Sequence, residues 1–401
     1  MAKKTIKAVD VAGKRVLVRV DFNVPIESGV VTDDTRIEAA LPTIKSIIER
    51  GGRAVLMSHL GRPEGKGYEA EYSLEPVAKR LGELLGKAVA FPSHDCVDQA
   101  AADAVSKMGD GDVLLLENLR FYKGETKGDP AFAEKLAKLG DVYVNDAFGT
   151  CHRPHASMVG VPQAMGARPK VSGFLVEKEI RYLSEALAHP AKPFVVVLGG
   201  AKVSDKMGCI ENLLPKCDAI LVGGAMAYTF LKAMGREVGS SRVEADRIDD
   251  AKRTIARAQE LKADLHVPVD HVCSTQFAES SGDIEVFPDQ IRDGFMGLDI
   301  GPETQTLYAG ILRKAKTIVW NGPMGVFEWR PFAVGTNVVA KAIAEATAAG
   351  ATSIVGGGDS AAAVEKFGLA SKMSHVSTGG GASLEMLEGK RFEAVDILDE
   401  A

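Results

Sequence analysis

The chain has 401 residues, 46% of them hydrophobic and 25% charged, with 48 basic against 54 acidic side chains and a formal net charge of −6. Length suggests two or three domains, and composition excludes a disordered chain, a collagen and a coiled coil. The acidic balance argues against nucleic acid or an anionic membrane as partner, and no apolar run is long enough to span a bilayer, so any basic site is local.

Short runs rich in Val, Ile and Leu recur along the chain. In the first half they cover residues 15–20, 53–57, 88–91, 113–116 and 142–144. In the second half they cover residues 194–198, 219–222, 265–269, 317–320, 353–355 and 375–377. They do not alternate with polar residues, which is how strands buried on both faces of a parallel sheet read. Helix signals lie between them. Ser73 precedes an amphipathic run over residues 74–85, with Leu74, Val77, Leu81, Leu84 and Leu85 on one face. Asp129 as N-cap, Pro130 at the first position and Gly140 at C′ bound a helix over residues 130–139. A further helix over residues 174–188 carries Phe174, Ile180, Leu183 and Leu187 on one side and ends at His189-Pro190.

Strands alternating with helices predict an α/β fold. About eleven strands exceed one typical open sheet, so two doubly wound parallel-sheet domains are expected. The boundaries fall at residues 1–171, a connecting helix over 172–190, a second domain over 191–390 and a terminal segment over 391–401. The connecting helix reads equally as plain packing or as a coupler of domain motion.

Ligands of open α/β sheets bind beyond the carboxyl ends of the strands. In the first half the strands are followed by Asp21-Phe22-Asn23, Ser58-His59-Leu60-Gly61-Arg62, Glu117-Asn118-Leu119-Arg120 and Asn145-Asp146, the last leading to His152-Arg153. Arg36 is expected in the loop after the first strand. Arg36, Arg62, Arg120, Arg153 and His59 thus gather along one sheet edge. Arginine forks bind phosphate and carboxylate, so the basket implies a small, multiply charged anion. The alternative is an ion pair with a nearby Asp or Glu for each arginine.

In the second half the strands are followed by glycines: Gly199-Gly200-Ala201-Lys202, Gly223-Gly224-Ala225, Asn321-Gly322-Pro323-Met324-Gly325, Gly356-Gly357-Gly358-Asp359-Ser360 and Gly379-Gly380-Gly381. Bare N–H groups and helix N-termini bind phosphates, and Lys202 and Lys206 are placed to neutralise them. Asp359 reads as a Mg²⁺ ligand beside a phosphate turn or as an ordinary N-cap. Glu328 reads as an acceptor for ribose hydroxyls or as a surface charge. There is no G-x-x-x-x-G-K-[ST], H-R-D or D-F-G motif. Gly356-x-Gly358-x-x-Ala361 matches the loose dinucleotide fingerprint, but the next strand ends in Ser377-Thr378-Gly379, without the acidic residue a ribose needs. The His152-Arg153-Pro154-His155 run is spaced like a metal pair, but Pro154 forbids a helical placement, so it reads as anion binding.

Six motifs carry a resemblance that spans nearly the whole chain. They are Arg19-Val20-Asp21-Phe22-Asn23-Val24-Pro25, Ser58-His59-Leu60-Gly61-Arg62-Pro63 and Glu117-Asn118-Leu119-Arg120-Phe121, then Gly199-Gly200-Ala201-Lys202-Val203-Ser204-Asp205-Lys206, Asn321-Gly322-Pro323-Met324-Gly325-Val326-Phe327-Glu328 and Gly356-Gly357-Gly358-Asp359-Ser360. In order and spacing the chain resembles the phosphoglycerate kinase family. The resemblance implies two Rossmann-like domains facing a cleft, joined by a hinge helix, with residues 391–401 packing back on the N-terminal domain. It implies reversible phosphoryl transfer between 1,3-bisphosphoglycerate and ADP, giving 3-phosphoglycerate and ATP in glycolysis and gluconeogenesis, with in-line transfer upon domain closure. The glycerate would be bound by Asp21, Phe22, Asn23, Arg36, His59, Leu60, Gly61, Arg62, Arg120 and Arg153. Lys202 and Lys206 would contact nucleotide phosphates. Gly224, Gly297, Leu298, Asn321, Pro323 and Glu328 would surround the adenosine, and Asp359 would hold Mg²⁺. Gly356, Gly357, Gly358 and Ser360 complete the nucleotide site, and Gly380 and Gly381 present further N–H groups. Arg36, Lys202, Lys206, Gly358 and Gly381 would carry the chemistry. The departures are Pro154, where the family commonly has Ala, and Ser360, where Thr is frequent.

Both nucleophiles, a β-phosphate and a carboxylate, are ionised at neutral pH, so no general base is assigned. Five scattered cysteines (Cys96, Cys151, Cys209, Cys217 and Cys273) without C-x-x-C spacing, and no secretory h-region at the N-terminus, point to a reducing, cytoplasmic setting. A monomer is expected. The competing readings are an NAD-dependent dehydrogenase and a non-catalytic two-lobed ligand-binding protein.

Overall fold

The apolar runs of the first half form one parallel sheet. A computed structural model describes residues 3–401; Met1 and Ala2, part of the stretch read for a targeting signal, lie outside the described residues. The chain divides into two units, one reaching to Arg181 and taking in Arg391–Ala401, the other Tyr182–Lys390. The first unit contains β1 (Arg15–Val20), β2 (Ile26–Glu27), β3 (Val30–Val31), β4 (Arg53–Met57), β5 (Val89–Ala90), β6 (Val113–Leu115), β7 (Val142–Asp146) and β8 (Lys170–Ser172). Its six-stranded sheet runs β5-β6-β4-β1-β7-β8, with every pairing parallel. Alternate residues face opposite layers. Val16, Val18 and Val20 meet the helices Thr35–Ile48 and Glu75–Leu85 through Ile37, Ile44, Val77 and Leu81. Leu17, Val55 and Leu114 face the other layer, built from Val105, Phe132, Leu136 and Val161. Burial on both faces is why these strands show no polar alternation.

Three expectations change here. The hairpin β2–β3 and the edge strand β8 were not anticipated, because Ile26-Glu27, Val30-Val31 and Lys170-Val171-Ser172 form no apolar run of three. Arg36 is not in a loop; it is the second residue of the helix Thr35–Ile48. Gly140 is not a C′ residue, since the helix is Pro130–Ala137 and Lys138 caps it. A Cβ at Gly140 would lie 2.6 Å from that of Leu17, so this glycine serves close packing on β1.

The second unit contains β9 (Phe194–Leu198), β10 (Ala219–Val222), β11 (Asp264–His266), β12 (Asp270–Ser274), β13 (Ile284–Pro288), β14 (Met296–Ile300), β15 (Thr317–Asn321), β16 (Thr352–Gly356) and β17 (His375–Val376). The parallel sheet runs β11-β10-β9-β15-β16-β17. Trp320, Tyr308 and Ile343 anchor one of its cores. A separate antiparallel sheet, β13-β12-β14, was missed. Its strands read Asp-His-Val-Cys-Ser, Ile-Glu-Val-Phe-Pro and Met-Gly-Leu-Asp-Ile, which break every apolar run.

The helix expected over residues 174–188 is three consecutive pieces: α-helical Phe174–Ile180, a π-helical turn Arg181–Glu185 and Ala186–Ala188. The unit boundary falls inside that turn. In the first unit the terminal segment is tied down by backbone bonds from Lys4 N–H to Asp399 O (2.9 Å) and Asp399 N–H to Lys170 O (2.8 Å), and by the Asn145 amide donating to Ala394 O (3.1 Å).

Asp146, the last residue of β7, is fully buried. Its Oδ1 accepts from Leu175 N–H at 2.9 Å, in the first turn of Phe174–Ile180, while Oδ2 has no partner. Burial pushes this carboxyl up to about 7. Between the ordinary aspartate value, about 3.9, and 7 the folded state therefore holds a proton that the unfolded state has lost. Stability from this group falls as pH rises through that window. Asp146→Asn stays neutral and removes the slope, so the melting-temperature difference, variant minus wild type, should grow more positive from pH 5 to pH 8. Thermal denaturation at both pH values checks this; a constant difference contradicts it.

Candidate active site

β6, β4, β1 and β7 are adjacent and parallel, so the segments after them share one edge of the first unit. The Arg36 guanidinium donates to Asp21 Oδ2 at 3.0 Å. His59 is buried, and Arg19 Nη2 sits 3.1 Å from its Nδ1. A guanidinium only donates, so Nδ1 accepts and the ring proton lies on Nε2. Burial first, then the charges of Arg19 and Arg120, hold His59 well below its ordinary pKa; it is a neutral donor at pH 7. Arg120 donates to Gly61 O at 2.5 Å, but its buried Nε has no partner. Burial, followed by Arg19 and Arg153, lowers the Arg120 pKa to about 10. Arg62 and Arg153 are exposed and have no ion pair among the described residues. The ion-pair alternative thus holds for Arg36 alone. Arg19 and Arg153 repel Arg120 more than Glu125 and Asp21 offset, and none of Arg62, Arg120 and Arg153 has a carboxylate in ion-pair contact, an arrangement that a bound anion would relieve.

Amide side chains fix these loops. Asn118 Oδ1 accepts from the N–H groups of Leu60 (3.1 Å) and Arg120 (3.0 Å), and Asn23 Oδ1 accepts from Gly61 N–H (2.9 Å). Gly61 has φ +60°, and a Cβ there would lie 2.4 Å from the Tyr72 ring, so any side chain would be strained and would displace that ring. Phe22 and Leu60 of the expected binding set have side chains buried in the core, so it is their backbone that is left to meet a ligand.

Sequence reasoning gave no role to the buried network behind the basket. Arg19 is fully buried in β1, and its Nε donates to Ser157 Oγ at 2.9 Å. Glu125, also fully buried, accepts from Ser157 N–H (2.9 Å) and Oγ–H (2.5 Å), and His155 Nδ1 lies 3.8 Å away. Burial, then Arg19, lowers the His155 pKa to about 4. The signal was available: a lone arginine inside an apolar strand needs a buried partner.

In the second unit a cavity of about 450 Å³ is lined by Gly224, Gly297, Leu298, Pro323, Glu328 and Asp359 from the expected set. Ser240, Arg242, Phe277, Met296 and Val326 line it too and were not foreseen. Lys202, Lys206, Asn321, Gly356, Gly357, Gly358, Ser360 and Gly381 do not line it. Gly224 has φ +64°, and a Cβ there would lie 2.5 Å from Gly200 N; two glycine turns meet backbone to backbone. Lys206, at the N-cap of Met207–Leu213, donates to Asn321 Oδ1, and Asn321 Nδ2 donates to Gly356 O at 3.0 Å. Asn321 therefore braces the lysine. Burial lowers the Lys206 pKa. Ser360 is buried, its Oγ accepting from Gly322 N–H at 2.6 Å, so this hydroxyl is already engaged within the protein.

Gly357 and Gly380 precede the helices Gly358–Lys366 and Gly381–Leu387, whose first N–H groups have no partner within the helix. Asp359 is exposed in the first turn of the former. Among the described residues no cluster of three or more His, Cys, Asp or Glu side chains could hold a metal. One carboxylate beside glycine turns at helix N-termini fits Mg²⁺, which takes one or two carboxylates and completes its shell with phosphate and water.

Residues 6–390 match the model of the phosphoglycerate kinase family. A phosphoglycerate kinase of Rhodopirellula baltica is 57% identical over 404 residues, covering 100% of both chains. One from Thermosipho africanus is 57% identical over 397 residues, 98% of this chain and 97% of the relative. The phosphoglycerate kinase structure from Coxiella burnetii superposes with a TM-score of 0.90 at 42% identity over 98% of each chain. That from Pyrococcus horikoshii gives 0.82 at 35% identity, over 99% of this chain and 98% of that one.

Proposed function

Because the chain belongs to the phosphoglycerate kinase family, we propose how its residues divide the work of that reaction. The activity is that of a kinase with a carboxyl acceptor: phosphoryl passes reversibly between 1,3-bisphosphoglycerate and ADP, giving 3-phosphoglycerate and ATP. The dehydrogenase and non-catalytic binder readings are set aside with it.

The first unit binds the glycerate. The observation that carries this is the group of cations without ion-pair partners, Arg62, Arg120 and Arg153, at the edge beside neutral His59. The second unit binds the nucleotide, its nucleoside in the cavity lined by Gly297, Leu298, Pro323 and Glu328. Its phosphates lie toward Lys202, Lys206, and the N–H groups at Gly357, Gly358, Gly380 and Gly381. Asp359 would hold Mg²⁺, which supplies charge neutralisation to the nucleotide phosphates. The transferred group passes through a loose, metaphosphate-like state, so positioning and charge stabilisation dominate. Arg36 and Lys202 meet the developing charge. Transfer requires the reacting atoms to come within about 3–3.5 Å, so domain closure accompanies it, taken up by the three helical pieces between Phe174 and Ala188, and keeps water from the acyl phosphate. We read the enzyme as a monomer of the cytoplasm; five buried free cysteines support a reducing compartment, and among the described residues no helix is long and apolar enough to cross a membrane.

A coupled assay with 3-phosphoglycerate, MgATP and a reporter for 1,3-bisphosphoglycerate tests the activity; no turnover would refute it. For the division of sites, Asp359→Asn should weaken MgADP and MgATP binding while leaving 3-phosphoglycerate affinity nearly intact. Calorimetry on the variant decides, and an equal loss for both ligands would contradict it.

A further inference from the structure

Arg242 has no part in the reading above. It lines the same cavity as Gly297, Leu298 and Glu328, is exposed, and has no hydrogen bond or ion pair among the described residues. The backbone that leads into it is nevertheless fixed. Ser240 N–H donates to Phe295 O at 2.8 Å, and Gly297 N–H donates to Ser241 Oγ at 2.9 Å. These bonds pin the residues before Arg242 to the start of β14, on the Met296–Leu298 wall, whereas Gly200 and Asp359 enter from the glycine turns that follow the parallel strands. Phe277, another lining residue, is 65% exposed, with its ring centroid 4.7 Å from that of Trp329. The Met296–Leu298 wall thus carries an unpartnered guanidinium on the cavity assigned above to the nucleoside.

We propose that Arg242 is a specificity-determining residue that reads the purine base and biases the site toward guanine. This rests on placing the nucleoside in this cavity. A guanidinium offers only donors. Guanine presents two adjacent acceptors, O6 and N7, that match its planar fork; adenine presents N7 beside an amino group that is itself a donor. Arg242 therefore favours guanine, while the apolar walls hold either purine.

The test is kcat and KM for MgATP and for MgGTP with saturating 3-phosphoglycerate, in wild type, Arg242→Leu and Arg242→Lys, with circular dichroism to confirm folding. Wild type should turn over both nucleotides. Arg242→Leu should raise the KM for MgGTP about tenfold, the scale of one lost bidentate base contact. The KM for MgATP should move less than about threefold, and kcat and the KM for 3-phosphoglycerate should stay put. Arg242→Lys should fall between, because a point charge lacks the fork. The inference is overturned if wild type uses MgATP but not MgGTP. It is equally overturned if the leucine variant leaves the selectivity between the two unchanged, which includes an equal rise in both KM values from a charge acting on the phosphates. Wild type inactive with both nucleotides would instead refute the kinase reading, before Arg242 is at issue.

Discussion

Arg36→Ala should lose on the order of 10³ in kcat, the scale of an arginine that stabilises a transferring phosphoryl group, while the dissociation constant of 3-phosphoglycerate changes by less than about tenfold. At rest this guanidinium is bonded to Asp21 at 3.0 Å, so it is oriented before substrate arrives and is not needed to hold it. Arg62, Arg120, Arg153 and the Nε2–H of His59 remain for the ground-state glycerate. A contact that strengthens only as charge develops acts on kcat and leaves affinity alone. Arg62 is exposed and without an ion-pair partner, so Arg62→Ala should show the opposite balance, with weaker binding and a nearly normal rate. Arg36→Lys should recover part of the loss. Single-turnover rates and calorimetry on the three variants check this. A large affinity loss with a near-normal rate in Arg36→Ala would make Arg36 an ordinary anchor.

Lys206→Met should lose on the order of 10² in kcat, the scale of one preorganised electrostatic contact removed. The Lys206 amine is partly buried and steadied by Asn321. Burial lowers its pKa, so its charge is lost at a lower pH than that of an exposed lysine, and the alkaline limb of kcat should fall earlier than an ordinary lysine would allow. Asn321→Ala should cost less than Lys206→Met, because the charge remains but loses its brace. The methionine variant should be at least as heat-stable as wild type, since a half-buried cation is replaced by an apolar chain of similar length. A pH–rate profile with thermal melts tests both parts. An unchanged rate in Lys206→Met would remove the residue from the phosphate site.

Where the sequence is informative, a physical reason lies behind it. The bounds of β1, β4, β9 and β10 coincide with their apolar-rich runs, because burial on both faces favours Val, Ile and Leu over polar alternation. The basket is legible because parallel neighbours put their carboxyl ends on one edge. The antiparallel sheet is illegible because its polar residues do structural work that a pattern cannot show: Asp270 caps the helix Pro302–Leu312 through Glu303 and Thr304, and Asp299 accepts from Gly335 N–H at 2.7 Å. Arg36 was misplaced because Asp33-Asp34-Thr35, a helix start, was read as loop. Arg19 went without a role because its partners, Ser157 and His59, are brought to it only by the fold. Arg242 and Phe277 sit in polar segments and become visible only as walls of a cavity.

The division of substrates between the two units is tested most directly by one calorimetric matrix: wild type, Arg62→Ala and Asp359→Asn, each intact chain titrated separately with 3-phosphoglycerate and with MgADP. The expected result is a weakened glycerate isotherm for Arg62→Ala alone and a weakened nucleotide isotherm for Asp359→Asn alone. Either substitution weakening both ligands alike, or Asp359→Asn weakening the glycerate instead, would contradict it.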